Sequence, residues 1–167
     1  MECQEIAKSI GWLGETWGFW IQTGAFLLSA GAGAYVIHHN GVLAKKRALI
    51  DLIIHQKSDE KLLAATQVVY RLHEDGKHLS ALVGTDSEDR RSILLVLNNQ
   101  EFIATGIRMG AFDEKVYKQM QCSNVRKLWT TASGFVQELR KIDGRQTIFQ
   151  DFEKLALKWD NNPIKKI

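Results

Sequence analysis

Four polar side chains near the middle of the chain have the types and spacing that could do chemistry. They are Asn98, Glu101, Thr105 and Arg108, and their intervals of three, four and three residues place them on one face of a helix. Because the residues around them are apolar, we expect this polar stripe to lie against other helices. A carboxylate buried there needs a cation or hydrogen-bond donors, since an unpaired buried charge is costly.

The polar stripe has three interpretations. In the first, it is a satisfied polar ladder that fixes helix register, with Glu101 paired to Arg108 through Thr105 or to an arginine of another helix, Arg126 or Arg140. In the second, it lines a pocket for a ligand or protein partner. In the third, Glu101 acts in catalysis. We favour the first and therefore predict no catalytic residue.

The other residues of catalytic or metal-binding type lack the spacing that such sites need. The acids Asp86, Glu88 and Asp89 fall where a first helical turn favours negative charge. No glycine-rich phosphate loop and no Gly-x-Ser-x-Gly motif occurs. No pair of histidines has the i, i+4 spacing with an intervening glutamate that a helical zinc hydrolase uses; the histidines are His38, His39, His55, His73 and His78. We predict no metal, no cofactor and no enzyme activity.

Composition describes an ordinary folded chain. Charged residues make up 25% and hydrophobic residues 45% of the 167 residues, which excludes wholesale disorder. The net charge of +3 is small and the basic residues are spread among acids, so we expect no nucleic-acid partner. In the topology given below, Cys3 and Cys122 lie on opposite sides of a membrane and cannot form a disulfide.

An uncharged segment near the N-terminus predicts a membrane span. Trp17 to Ile37 carries no formal charge and would be about 31 Å long as a helix, the thickness of a bilayer's hydrocarbon core. Acids outnumber the single Lys8 before it, whereas Lys45, Lys46 and Arg47 follow it. Because Lys and Arg concentrate on the cytoplasmic side, we predict a single-pass protein of the bacterial inner membrane, with its N-terminus outside and its C-terminus in the cytoplasm.

The segment has two alternatives to a membrane span. A buried core helix is conceivable because glycine, glutamine and serine moderate the hydropathy, but Trp17, Trp20 and Tyr35 stand at the two ends like the aromatic belts of a bilayer. A cleaved signal peptide would explain the small residues between Ala30 and Ala34. Its expected basic start is missing, since the preceding region is acidic.

One face of this segment carries small residues suited to helix pairing. Ala25, Ser29 and Gly33 repeat every four residues, and Gln22 adds a side chain that can form a hydrogen bond across a contact. We expect the segment to pair with a second copy or with another membrane protein. The alternative is that small residues are simply common in membrane helices.

The rest of the chain has helical periodicity throughout and predicts an all-α protein. We expect the membrane helix to continue to about Gln56, and five further helices to follow. Their starts are predicted near Ser58, Asp86 or Ser87, Asp113, Ser123 or Asn124, and Thr147. The helix after Ser87 is apolar on almost every side and should be the buried centre of a bundle of about five helices. The predicted regions are an extracytoplasmic N-terminus (1–16), a transmembrane helix (17–40), a cytoplasmic helical domain (41–160) and a tail (161–167).

Two stretches of this domain resemble a known family. The segment LNNQEFIATGIRMGAFDE, residues 97–114, is similar to the core motif of a bacterial and phage family, domain of unknown function 4760. Residues 135–140 and 149–153 together with Trp159 resemble its C-terminal half. The resemblance covers roughly residues 46–159 and implies a helical fold, often preceded by a membrane helix, with no established activity.

Three functional classes remain. The chain could be a membrane-anchored, non-enzymatic interaction or scaffold protein whose cytoplasmic domain binds a protein partner, which we favour. It could be a membrane-active effector, acting in phage defence or superinfection exclusion by oligomerisation of its transmembrane helix. It could also be an enzyme centred on Glu101.

Overall fold

The computed structural model describes residues 17–164, and these residues form helices with no strand among them. The helices are α1 (Trp17–Ser58), α2 (Glu60–Glu74), α3 (Glu88–Arg108), α4 (Glu114–Asp143) and α5 (Gln150–Asn161), with a short 3-10 helix at Leu79–Leu82 between α2 and α3. The predicted all-α fold class is confirmed. The N-terminal region 1–16, with Cys3, and the last three residues of the predicted tail lie outside the described residues.

The chain divides between Ala44 and Lys45 into two units. The first contains residues 17–44 of α1. It holds the only helix in the described part of the chain that is long and apolar enough to cross a membrane, and no residue of its most apolar 18-residue window is buried. A core helix of a soluble domain would bury one face. By length and composition, α1 can therefore span a bilayer.

The second unit, from Lys45 onward, is a helical bundle. α3 packs against α2 and α5, and α4 packs against α5 and the 3-10 helix. Aromatic side chains fill the centre: the rings of Trp129 and Phe152 meet edge to face with centroids 5.4 Å apart, and those of Tyr117 and Trp159 lie 5.7 Å apart. Leu49 and Ile53 of α1 are buried in the same core. Burial of this apolar surface is the main force that holds the bundle together.

Short polar side chains define where three of the helices begin. The side chains of Asp59, Ser87 and Asp113 accept hydrogen bonds from backbone N–H groups in the first turns of α2, α3 and α4. These bonds satisfy donors that a helix start leaves unpaired. Ser58, the predicted start of α2, instead ends α1. At the other end of α4, Gly144 adopts a left-handed conformation with φ 67°, which terminates the helix.

The predicted break near Ser123 and Asn124 is wrong, because α4 runs without interruption from Glu114 to Asp143. Asn124 donates its side-chain amide to Gln121 Oε1 at 2.9 Å rather than capping a new helix. Tyr117, Cys122 and Val125 are buried and continue the helical repeat through this region. An unbroken helix therefore keeps these side chains in the core. α5 also starts at Gln150, later than predicted from Thr147.

The expectation that α3 is buried on almost every side is also wrong. Ile93, Val96 and Leu97 are buried, but Leu95 is 43% and Phe102 60% exposed. Apolar composition alone does not show which side faces the core, since the neighbouring helices cover only part of α3.

Candidate functional site

The carboxylate of Glu101, in the middle of α3, binds the first turn of α5. Its Oε2 accepts the backbone N–H of Phe152 at 2.8 Å, and its Oε1 accepts the backbone N–H of Asp151 at 3.2 Å. Phe149, the residue just before α5, has φ 55° and supplies no side-chain cap. The start of α5 is therefore capped by Glu101, a residue of another helix. A negative charge is favourable there because the start of a helix is the positive end of its dipole.

Asp151 of α5 forms hydrogen bonds back to α3. Its Oδ2 accepts hydrogen bonds from Thr105 Oγ1 at 2.9 Å and from Arg108 Nε at 2.8 Å. The side chain of Asp151 is only 5% exposed, whereas that of Arg108 is 58% exposed. We call the set of Glu101, Thr105, Arg108 and Asp151 the α3–α5 joint.

The environment of Asp151 favours its charged form. Burial raises the pKa of this carboxyl, but the hydrogen bonds from Arg108 and Thr105, together with the positive charge of Arg108, outweigh burial and lower the pKa below its ordinary value. The second oxygen, Oδ1, is buried and has no hydrogen-bond partner among the described residues. The joint thus holds two carboxylates, and each is tied to donors on the facing helix.

Three of the four predicted stripe residues meet in this joint. Asn98 does not: its side chain is exposed and makes no hydrogen bond within the described part of the chain. None of the three arginines predicted to pair with Glu101 does so, and Arg108 binds Asp151 instead. Arg126 binds Asp160, while Arg140 donates from Nε to the carbonyl of Ile148 and lies 2.8 Å from Glu153 Oε2; these two arginines connect α4 to α5 and to the turn before it.

Asp151 is the residue of the joint that was not predicted from the sequence. It is one of two acids in the first turn of α5, where acids are common for the helix dipole alone. The available signal was Phe149, because a large apolar residue before a helix leaves its first N–H groups in need of a distant acceptor.

A second link ties α4 to the end of α5. Glu114 accepts hydrogen bonds from Lys158 Nζ at 2.8 Å and from Trp159 Nε1 at 3.1 Å. Burial raises the pKa of Glu114, and the bonds from Lys158 and Trp159 with the charge of Lys158 lower it further than burial raises it. An open cavity of about 320 Å³ lies between this link and the joint, lined by Ala104, Ile107, Arg108, Glu114, Asp151, Lys154, Leu155 and Lys158.

The outer side of α3, away from the core, and the residue that follows the helix carry three exposed apolar side chains at seven-residue intervals. Leu95, Phe102 and Met109 are 43%, 60% and 72% exposed. Phe102 meets the ring of Phe112 at a centroid distance of 6.1 Å, and Phe112 in turn covers the backbone of Gly106. We call Leu95, Phe102 and Met109 the outer α3 row.

The small-residue face of α1 is open. Gln22, Ala25, Ser29 and Gly33 are all exposed, and no atom lies within 4 Å of where a side chain at Gly33 would begin. Turns of about 100° per residue place the four on one side of the helix.

The other candidate residues from the sequence are in ion pairs or buried in the protein. Asp86 and Glu88 both pair with Arg91, and Asp89 lies 4.0 Å from Arg71. Cys122 is a buried free thiol. Within residues 17–164, no three His, Cys, Asp or Glu side chains are grouped so as to hold a metal ion.

Comparison with known proteins places the chain in a family. No curated protein and no solved structure matches it. The model of the family described as domain of unknown function (DUF4760) matches residues 23–159, which is most of the chain and includes much of the apolar part of α1 as well as the whole α3–α5 joint. The chain therefore belongs to the DUF4760 family.

Proposed function

We propose that the protein is a membrane-anchored, non-enzymatic interaction module of the bacterial inner membrane. α1 crosses the bilayer once with the N-terminus outside, and the helical domain in the cytoplasm binds a protein partner. The uncharged stretch from Trp17 to Ile37 followed by Lys45, Lys46 and Arg47 supports this anchor and its direction.

The outer α3 row is the observation that carries the proposed partner binding. Apolar side chains exposed along one line of a helix offer a surface that an apolar partner can cover. The row spans about 21 Å, and its seven-residue interval matches two helical turns, which suits a partner helix laid along α3. By contrast, the carboxylates of the α3–α5 joint are occupied by donors of their own chain, which favours a structural role for Glu101 over a catalytic one.

The charged residues near the row are already paired within the chain, Arg91 with Asp86 and Glu88 and Arg108 with Asp151. The apolar side chains therefore define the partner, and we infer an amphipathic partner helix with apolar residues at intervals of seven.

A photo-reactive amino acid at position 102 of the full-length protein in membranes tests this proposal. The matched control carries the same amino acid at Leu63, which is 44% exposed on α2. We expect cross-linking from position 102 only, to an amphipathic helix of a different protein, and loss of that protein from Phe102→Glu purified in detergent. Cross-linking only to a second copy, or equal cross-linking from both positions, would contradict the proposal.

A membrane-active effector is the second candidate, favoured by the open small-residue face of α1. Assembly of several such helices would let ions cross the bilayer. Overexpression separates the two functions, because an effector dissipates the membrane potential and an interaction module leaves it unchanged.

A further inference from the structure

A second cleft in the bundle is lined by uncharged amide side chains. It has a volume of about 290 Å³. Five amides from three helices line it, and we call them the amide cleft: Gln56, Asn99, Gln100, Gln121 and Asn124. All but Asn124 are partly buried.

The amides hold one another in place. Gln56 Nε2 donates to Asn99 Oδ1 at 3.0 Å across α1 and α3, and Asn124 donates to Gln121 Oε1 within α4. Gln100 Oε1 accepts the hydroxyl of Tyr117 at 3.2 Å. These bonds orient the side chains before any ligand arrives, which reduces the entropy lost on binding.

Part of the hydrogen-bonding capacity remains unused. Each amide has two N–H donors and an oxygen that can accept two bonds. The NH₂ groups of Asn99, Gln100 and Gln121 have no partner among the described residues, and neither does the carbonyl oxygen of Gln56. The cleft therefore offers donors and an acceptor side by side.

The remaining walls suit a flat, neutral ligand. Leu62, Val96 and Leu128 form an apolar floor, and the ring of Tyr70 is half-buried at the side, with Lys127 Nζ over one face at 4.5 Å from the ring centroid. The lining contains no carboxylate, and its one cation, Lys57, is exposed. The cleft therefore lacks the carboxylates that would bind a metal ion and the cluster of charges that would bind a strongly charged molecule.

We propose that the amide cleft binds the base of a free nucleoside. Asn and Gln side chains form paired donor and acceptor bonds with base edges, and Leu62, Val96, Leu128 and Tyr70 would contact the ring faces. A volume near the lower end of small-molecule sites accommodates a base with its sugar and is too small for an extended peptide. This site is separate from the outer α3 row, so it stands whether or not the proposed function does.

Isothermal titration calorimetry tests the proposal. The full-length protein in detergent is titrated separately with adenosine, guanosine, cytidine and uridine. We expect saturable binding of at least one nucleoside. Gln121→Leu and Gln100→Leu should each weaken it roughly tenfold, because each removes hydrogen bonds to the base. The matched control is Gln137→Leu, an exposed glutamine of α4 outside the cleft, which should bind as the unchanged protein does.

Two results would overturn the proposal. One is failure of all four nucleosides to bind. The other is binding that Gln121→Leu leaves intact, since that places the ligand elsewhere. Gln121 is only partly buried and bonds only to Asn124 of its own helix, so this variant decides the outcome even if Gln100→Leu does not fold.

Discussion

Glu101 caps a helix whose second residue, Asp151, lies fifty residues later in the chain: its Oε2 lies 2.8 Å from the backbone nitrogen of Phe152. A single carboxylate thus fixes where α5 starts and how it sits against α3. Asp151 of α5 in turn accepts hydrogen bonds from Thr105 and Arg108 of α3, so side chains of both helices stabilise their contact.

Removal of this cap should destabilise the bundle. We expect Glu101→Ala to cost about 1–3 kcal/mol, since two N–H groups at the start of α5 lose a charged acceptor. Glu101→Gln should cost less because its carbonyl oxygen still accepts one bond. Urea unfolding of the full-length protein in detergent, followed by circular dichroism, measures both. Glu74→Ala, at an exposed acid with no ion pair in the described structure, should change stability little; equal losses in Glu101→Ala and Glu74→Ala would contradict a capping role.

Acid should weaken the α3–α5 joint through Asp151. The pKa of this carboxyl is lower in the folded chain than its ordinary value of 3.8, so the unfolded chain binds the proton more tightly. The stabilisation is complete above about pH 4 and is lost as pH falls through the lower folded pKa. Melting temperatures measured from neutral pH downward should fall in this range, and the fall should be smaller in Asp151→Asn. An unchanged slope in that variant would show that other acids carry the effect.

Gly106 should not tolerate a side chain. A methyl group there would overlap the ring of Phe112, which is held against Phe102. We expect Gly106→Ala to destabilise the domain by about 1–3 kcal/mol. Gly134→Ala is the matched control on α4, where no atom lies within 4 Å, and it should stabilise by about 0.5–1 kcal/mol through higher helix propensity. In a Phe112→Ala background the penalty at Gly106 should largely disappear; persistence of the full penalty there would disprove the steric explanation.

The small-residue face of α1 should govern any pairing of that helix. Ala25→Leu with Gly33→Leu adds bulk to this face and should weaken self-association or heteromeric pairing in the membrane. Chemical cross-linking, or energy transfer between labelled copies, measures the pairing. Gly31→Leu with Ala34→Leu adds the same bulk on the other side. An equal loss of pairing in both double variants would argue against a specific face.

Local patterns predicted much of this fold, and distant contacts explain what they missed. Ser87 and Asp113 were recognisable as helix starts because a cap and its partner lie within three residues. The same local rule failed at Ser123 and Asn124, where the packing of Tyr117, Cys122 and Val125 keeps α4 continuous.

The α3–α5 joint was predictable only in part. The spacing of Glu101, Thr105 and Arg108 placed them on one face, but their partner Asp151 lies more than forty residues away, beyond the reach of any periodicity. The exposure of Phe102 was missed for a related reason, since it depends on which sides of α3 the other helices leave uncovered.

Membrane fractionation with a topology reporter tests the central claim most directly. Full-length protein with a reporter after Ile167 is separated by ultracentrifugation without detergent and washed with alkaline carbonate, which strips peripheral proteins. An integral protein with α1 across the bilayer should stay in the membrane pellet, with the reporter in the cytoplasm. Recovery in the soluble fraction, or a reporter active outside the cytoplasm, would contradict the account.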